Sequence, residues 1–250
     1  MTFARILGTG SYVPEKVLTN DDLSRMLGED IDEFVSQIDI SCACAGFVTA
    51  LDTASKFIIA DQSYQNILVI GAYAMSKYLD WEDKKTATIF ADGAGALVLQ
   101  ASDEGPGFLA SKLIADGSFS DYMGIYAGGT RMPITEDVLR EGRWNKVRFA
   151  QKYPPEINVE GWPRMIRDVL AKCKFTVDDI ALFLFTQVNL STIKEVMKIL
   201  EAPMERTHTI MQKWGYTGSA CIPMALDDAV REDRLKTGDN LIMCASADGF

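Results

Sequence analysis

Two cysteines stand two residues apart in the stretch Ile38-Asp39-Ile40-Ser41-Cys42-Ala43-Cys44-Ala45-Gly46-Phe47, and the second is the residue best placed to do chemistry. The stretch begins apolar, as a short strand would. It passes through small residues into Phe47–Ile59, where Phe47, Ala50, Leu51, Ala54 and Ile58 share one helical face. A strand turning sharply into a helix, with Ala45-Gly46 at the bend, leaves Cys44 at the tip beside the helix N-terminus. The partial positive charge there favours thiolate over thiol. A thiolate so placed is a candidate nucleophile. The same surroundings also suit a small buried apolar residue, which is what many cysteines are. Cys42 shares a face with Cys44 in an extended strand. A metal or redox role for the pair lacks a second ligand pair nearby, and the single histidine, His208, is far away in sequence.

The elements that must position Cys44 follow from the rest of the chain. Its 250 residues are 48% hydrophobic and 24% charged, an ordinary globular balance, enough for one large domain or two closely packed halves. Ala4–Leu7 reads as a strand, Asp21–Leu27 as a short helix capped by Asn20, and Asp32–Val35 as a helical fragment. Ile67–Ile70 is an apolar run of the buried-strand type, and Thr88–Leu99 is a turn of small residues feeding another strand. From there to 158 the pattern is less regular and carries Arg140, Arg143, Lys146, Arg148 and Lys152. The second half alternates: helix at Trp162–Cys173, strand at Ile180–Phe185, helix at Leu190–Leu200, strand at Thr207–Met211, helix at Ser219–Arg231, strand at Asn240–Ala245. Strands alternating with helices predict a layered α/β fold.

Composition also excludes some classes. A net charge of −10 argues against general nucleic-acid binding. Five cysteines without disulfide spacing suggest reduced thiols and a cytoplasmic setting. The N-terminus lacks the pattern of a signal peptide, and no run of about 18 apolar residues is evident, so the expectation is a protein that does not engage a membrane.

Taken together, several stretches resemble the β-ketoacyl-acyl-carrier-protein synthase III group of the thiolase superfamily, in the right order. Gly8–Asn20 resembles its N-terminus, Asp39–Phe47 its nucleophile elbow with Cys44 at the acyl-accepting position, and Phe90–Ala96 its Gly-rich turn. Gln187-Val188-Asn189-Leu190 and Trp214–Ala220 resemble its two later active-site loops, and Ala247–Phe250 its closing loop. The resemblance implies a thiolase-like αβαβα fold of two similar halves, here 1–135 and 136–250, in a homodimer. It implies that Cys44 takes an acyl group from acyl-CoA, a substrate and not a resident cofactor. Malonyl-acyl carrier protein then loses carbon dioxide and its carbanion attacks the acyl group. No metal is implied. Asn189, Gly218 and Gly249 are the expected substrate-binding residues.

The sequence departs from that family in three ways. The family's catalytic histidine position holds Thr186 and its catalytic asparagine position holds Tyr216. Those side chains stabilise the enolate formed on decarboxylation, and losing one such donor costs roughly 10²–10³ in rate. Thr and Tyr hydroxyls donate hydrogen bonds, but neither is a cation or a base near neutral pH. Second, the family carries several dozen more residues between Val35 and Ile38 and continues past Phe250 with a last strand. The expectation is that the chain omits these segments rather than that the fold has lost them, because deleted strands would leave open edges. Third, the family's carrier-docking arginine is replaced by Ser191. Lys194 and Lys198, one helical turn apart, and Arg148 are the candidates for that role, against the alternative of a solvated helix face. Three functions are therefore weighed: a synthase III-like acyltransferase of fatty-acid or related biosynthesis, a non-decarboxylating acyltransferase or thioesterase using Cys44, and a non-catalytic acyl-binding subunit.

Overall fold

A computed structural model of the chain describes residues 3–12, 38–103, 105 and 107–247. The expected helices at Asp21–Leu27 and Asp32–Val35, and Gly249, lie outside the described residues. In chain order the elements are β1 (Phe3–Tyr12), a 3-10 turn at Ala43–Ala45 running directly into α1 (Gly46–Ala60), β2 (Asn66–Tyr73), α2 (Lys84–Ala87), β3 (Gly93–Ser102), β4 (Met123–Gly124), α3 (Glu136–Glu141), β5 (Arg148–Phe149), α4 (Glu156–Cys173), β6 (Leu182–Phe185), α5 (Leu190–Ile199), α6 (Met211–Trp214), α7 (Cys221–Arg231) and β7 (Leu241–Cys244).

Burial alternates along β3, as period-2 side-chain geometry requires, with Leu97 and Leu99 turned inward. β1, β3 and β2 form an antiparallel sheet in that order. Its inner face packs on α1 and α7, which also touch each other. The helical face read from the sequence is the one that is buried, with Phe47, Leu51, Ala54 and Ile58 all in the core. Beyond these helices lies a second sheet, in which β6 pairs in parallel with β7. β6 is buried on both faces. Leu182 and Leu184 join the α1/α7 core, while Phe183 and Phe185 join a second core with Trp162 of α4 and Ile193 of α5. The order of layers is therefore sheet, helices, sheet, helices. The fifth, outermost helical layer of the expected fold is not among the described residues.

Three local expectations change. Ile38–Ile40 is not a strand, and Ile38 is 63% exposed. A strand needs a neighbouring strand, and none of the described strands pairs with this segment. Thr207–Met211 contributes only a single bridge, from Thr207 to Phe183, before the chain turns into α6. Finally, Ala43–Ala60 is one stretch long and apolar enough to cross a membrane, with mean hydropathy 1.3. Here it is the core helix that carries Cys44.

Candidate active site at the Cys44 elbow

The elbow is tighter than a simple strand-to-helix bend. Ala43 sits at φ +40°, left-handed for a residue with a Cβ, at a cost on the order of 1–2 kcal/mol. The Ala45 N–H donates to Cys42 O at 2.9 Å, closing the turn around Cys44. Helix α1 then starts with no side-chain cap and no acid in its first turn. No acidic side chain offsets its positive end, while the Ala45 and Gly46 N–H groups are taken by Cys42 O and Ala43 O in the preceding turn. Cys44 itself is buried, 7% exposed.

The loop that faces the elbow is Gly215–Ala220. It is pinned from both sides: the Ala91 N–H donates to Tyr216 O at 2.8 Å, and the Ser219 hydroxyl donates to Ala72 O at 2.8 Å. Gly215 (φ +70°) and Gly218 (φ +52°) allow its path. A Cβ on Gly218 would fall 2.3 Å from the Tyr73 ring, so the backbone can approach that ring only as glycine. Tyr216 packs against Tyr73 and Phe90, with ring centroids 6.4 and 5.9 Å away, and Phe90 in turn stacks on Phe149. Its phenol meets the Cys44 side chain but makes no hydrogen bond of full geometry. Burial pushes the phenol well above its ordinary 10.0, and the neighbouring Cys44 and Cys221 thiols push in the same direction. Tyr216 is therefore a neutral donor. Cys221, first residue of α7 and fully buried, is pushed up to about 12, chiefly by burial. It stays a thiol.

Thr186 follows β6 and is 4% exposed. Its hydroxyl accepts the Ser246 N–H at 3.0 Å, and its oxygen lies 3.5 Å from Ser246 O, a long contact that leaves the O–H weakly engaged. Asn189 is exposed and caps α5, accepting from the Ser191 N–H at 2.9 Å and its hydroxyl at 2.7 Å. Its side chain acts on the helix end, not on Cys44. Lys194 and Lys198 are exposed on α5. Arg148 is on β5, its guanidinium 5.2 Å from the Trp144 ring, with Arg143 at 4.7 Å from the same ring.

His208 is buried and committed elsewhere. Arg234 donates to Nδ1 at 3.1 Å, so that nitrogen must accept, and Nε2 donates to Asp228 at 2.7 Å. His208, Asp228 and Glu232 have the composition of a metal site, but Lys213 Nζ already lies 2.6 Å from Asp228 and 2.7 Å from Glu232. Gln187 was visible only as part of a motif. Buried, it spans the gap between β6 and the 208–210 segment, donating to His208 O at 3.0 Å and accepting the Ile210 N–H at 2.7 Å. Tyr73 and Phe90 carried no sequence signal of their own, because they reach Tyr216 only through the fold. A cavity of about 850 Å³ runs between β1, α1, α4 and β7; Cys42, Ala45, Val48 and Thr49 line it, and Cys44 does not.

Residues 38–117 match the family model of 3-oxoacyl-[acyl-carrier-protein] synthase III, and residues 170–250 match the model of its C-terminal part. The chain is 30% identical to a β-ketoacyl-[acyl-carrier-protein] synthase III of Alkalilimnicola ehrlichii, covering all of this chain and 97% of that one. The chain belongs to the 3-oxoacyl-[acyl-carrier-protein] synthase III family. A second member of the synthase III family, from Roseiflexus castenholzii, is 36% identical over 215 residues, 85% of this chain and 64% of that protein. Thus the chain spans about two thirds, or slightly less, of the first curated relatives it matches. The Alkalilimnicola alignment runs over 321 positions against 250 residues here, so that relative carries positions with no counterpart in this chain. Among solved structures, the synthase III of Aquifex aeolicus superposes with a TM-score of 0.80 at 26% identity, over 99% of this chain and 97% of that one. The fold is thus the layered α/β fold of synthase III.

Proposed function

We propose that this chain is an acyltransferase of the synthase III type. Cys44 accepts an acyl group from acyl-CoA and passes it to malonyl-acyl carrier protein or another acceptor in fatty-acid or related biosynthesis. The observation that carries this reading is a single sulfur at the uncapped start of a buried 15-residue helix, in the elbow that matches the family model. The Cys44 thiolate attacks the thioester carbonyl, backbone N–H groups hold the oxyanion, and the coenzyme leaves as its thiolate. Incubation with acetyl-CoA is expected to add one acetyl group to the intact protein, and Cys44→Ala is expected to remove the adduct. An equal adduct on the variant would overturn the assignment.

The same reading includes a cytoplasmic homodimer without a resident cofactor, and a carrier-protein surface at Lys194, Lys198 and Arg148. Sedimentation of the 27.6 kDa chain tests the dimer. Lys194→Glu with Lys198→Glu is expected to raise KM for a carrier-bound thioester several-fold and leave a small thioester unaffected. A second reading, acyl transfer without decarboxylation, is favoured by Thr186 and Tyr216, whose hydroxyls stand where the family has its histidine and asparagine and offer neither a cation nor a base near neutral pH.

A further inference from the structure

We infer that this chain binds a neutral alkanol in the cavity between β1, α1, α4 and β7, its hydroxyl held by Asp52 and Ser55 and its alkyl chain lying among apolar side chains. The inference stands apart from the chemistry at Cys44, which does not line that space. Of the buried side-chain atoms left without a hydrogen-bond partner among the described residues, two belong to residues that line the cavity, Asp52 Oδ1 and Ser55 Oγ. They stand three residues apart on α1, so they share a helical face. Ser55 is fully buried and Asp52 is 7% exposed. Asp52 Oδ2 is engaged by Lys56 Nζ at 2.7 Å, which leaves Oδ1 bare. Ser55 differs from the other hydroxyls of its helix. A serine or threonine inside a helix can bond back to the carbonyl four residues earlier. Thr49 does so to Ala45 O at 3.0 Å and Thr53 to Thr49 O at 2.9 Å, while Ser55 makes no such bond.

The rest of the lining decides what those two atoms can take. Leu51, Leu99, Phe108, Val169 and Ile242 give it apolar walls, and its volume of about 850 Å³ is that of a small-molecule site. Thr9, Thr49 and Asn240 line it too, but their side chains are already bonded, to Asp227, Ala45 O and Asp179 O. The polar end of a ligand therefore falls to Asp52 and Ser55. A carboxylate or phosphate would set negative charge against Asp52 Oδ1. An ammonium would bring a second cation to a carboxylate that Lys56 already balances, and burying a charge without its own partner is costly. A plain hydrocarbon would leave both oxygens bare. A neutral hydroxyl meets both needs: it donates to Asp52 Oδ1 and accepts from the Ser55 hydroxyl. Its alkyl chain then gains by leaving water for the apolar walls.

The full chain would be titrated calorimetrically with 1-octanol, octylammonium and octanoate, which share one alkyl length and differ at the head. The expected result is saturable binding of a single 1-octanol, at least about tenfold tighter than either charged analogue. Ser55→Ala supplies the second arm. It removes a hydroxyl that bonds to nothing in the free chain, so its thermal midpoint should equal or exceed the native value, while its affinity for 1-octanol falls about fivefold to tenfold. Equal affinity for the three heads would overturn the inference, because the cavity would then be collecting hydrocarbon alone. Absence of saturable 1-octanol binding would overturn it too, leaving water as the partner of Asp52 and Ser55. So would a Ser55→Ala variant that binds 1-octanol as tightly as the native chain. A variant that unfolds would count against a bare Ser55 hydroxyl, and the head-group series on the native chain would still decide the ligand.

Discussion

Tyr216 is where this chain parts from the residue its family resemblance implies. The ring is fixed by Tyr73 and Phe90, while the hydroxyl has no partner but the Cys44 side chain. Tyr216→Phe therefore keeps the packing and removes one donor. It is expected to slow acylation of Cys44 by acetyl-CoA about tenfold, the worth of one hydrogen bond to a charged or developing charge, with the thermal midpoint almost unchanged. An intact-mass time course reads this directly. An unchanged rate would show that the phenol does not touch the reacting sulfur. The elbow was legible in the sequence because it is written locally: small residues, a cysteine, then a 3.6-residue apolar period. The partner of Thr186 was not legible: Ser246 is 60 residues away, and only the pairing of β6 with β7 brings the two together.

At the scale of elements, the site depends on two short turns meeting, the one at Ala43–Ala45 and the one at Gly218–Ala220. Gly218 is the tightest point of that meeting. Alanine there would require φ +52° from a residue with a Cβ and would drive that Cβ into the Tyr73 ring. Gly218→Ala is expected to cost about 2 kcal/mol or more and to move Tyr73 and Tyr216, so it should lower the thermal midpoint and the rate of Cys44 loading together. Gly124→Ala, where nothing lies within 4 Å, is the matched control and should change neither. The helices were legible because amphipathic periodicity belongs to a single segment: α1, α5 and α7 lie within a few residues of their expected spans. Strands belong to pairs. Ile38–Ile40 has no strand beside it among the described residues, whereas Ile67–Ile70, a fully apolar run, is completed by β3.

In the whole molecule, α7 joins the two sheets through adjacent acids. Asp227 turns to the first sheet, accepting from Thr9 at 3.2 Å and from Ser11 at 2.5 Å on β1, and pairs with Arg231. Asp228 turns the other way, to His208 and Lys213. His208 O in turn anchors Gln187 at the end of β6. Burial would raise the Asp228 carboxyl, but hydrogen bonds from Lys213 and His208 outweigh it and hold the group below its ordinary 3.8. A carboxyl depressed in this way stabilises the folded chain above its unfolded value. That contribution is lost as pH falls from about 3.8 through the lower folded value. Stability is therefore expected to be level in this respect at neutral pH and to fall steeply below pH 4. Asp228→Asn removes the titrating group. It leaves Lys213 and His208 with a weaker, neutral acceptor, so it should cost about 2 kcal/mol at neutral pH. It should also flatten the acid limb, so that native chain and variant converge as the pH approaches 2. Urea unfolding midpoints measured at intervals between pH 2 and 7 give both curves. If the variant's deficit were the same at every pH, Asp228 would not be the charge through which acid loosens the join between the sheets.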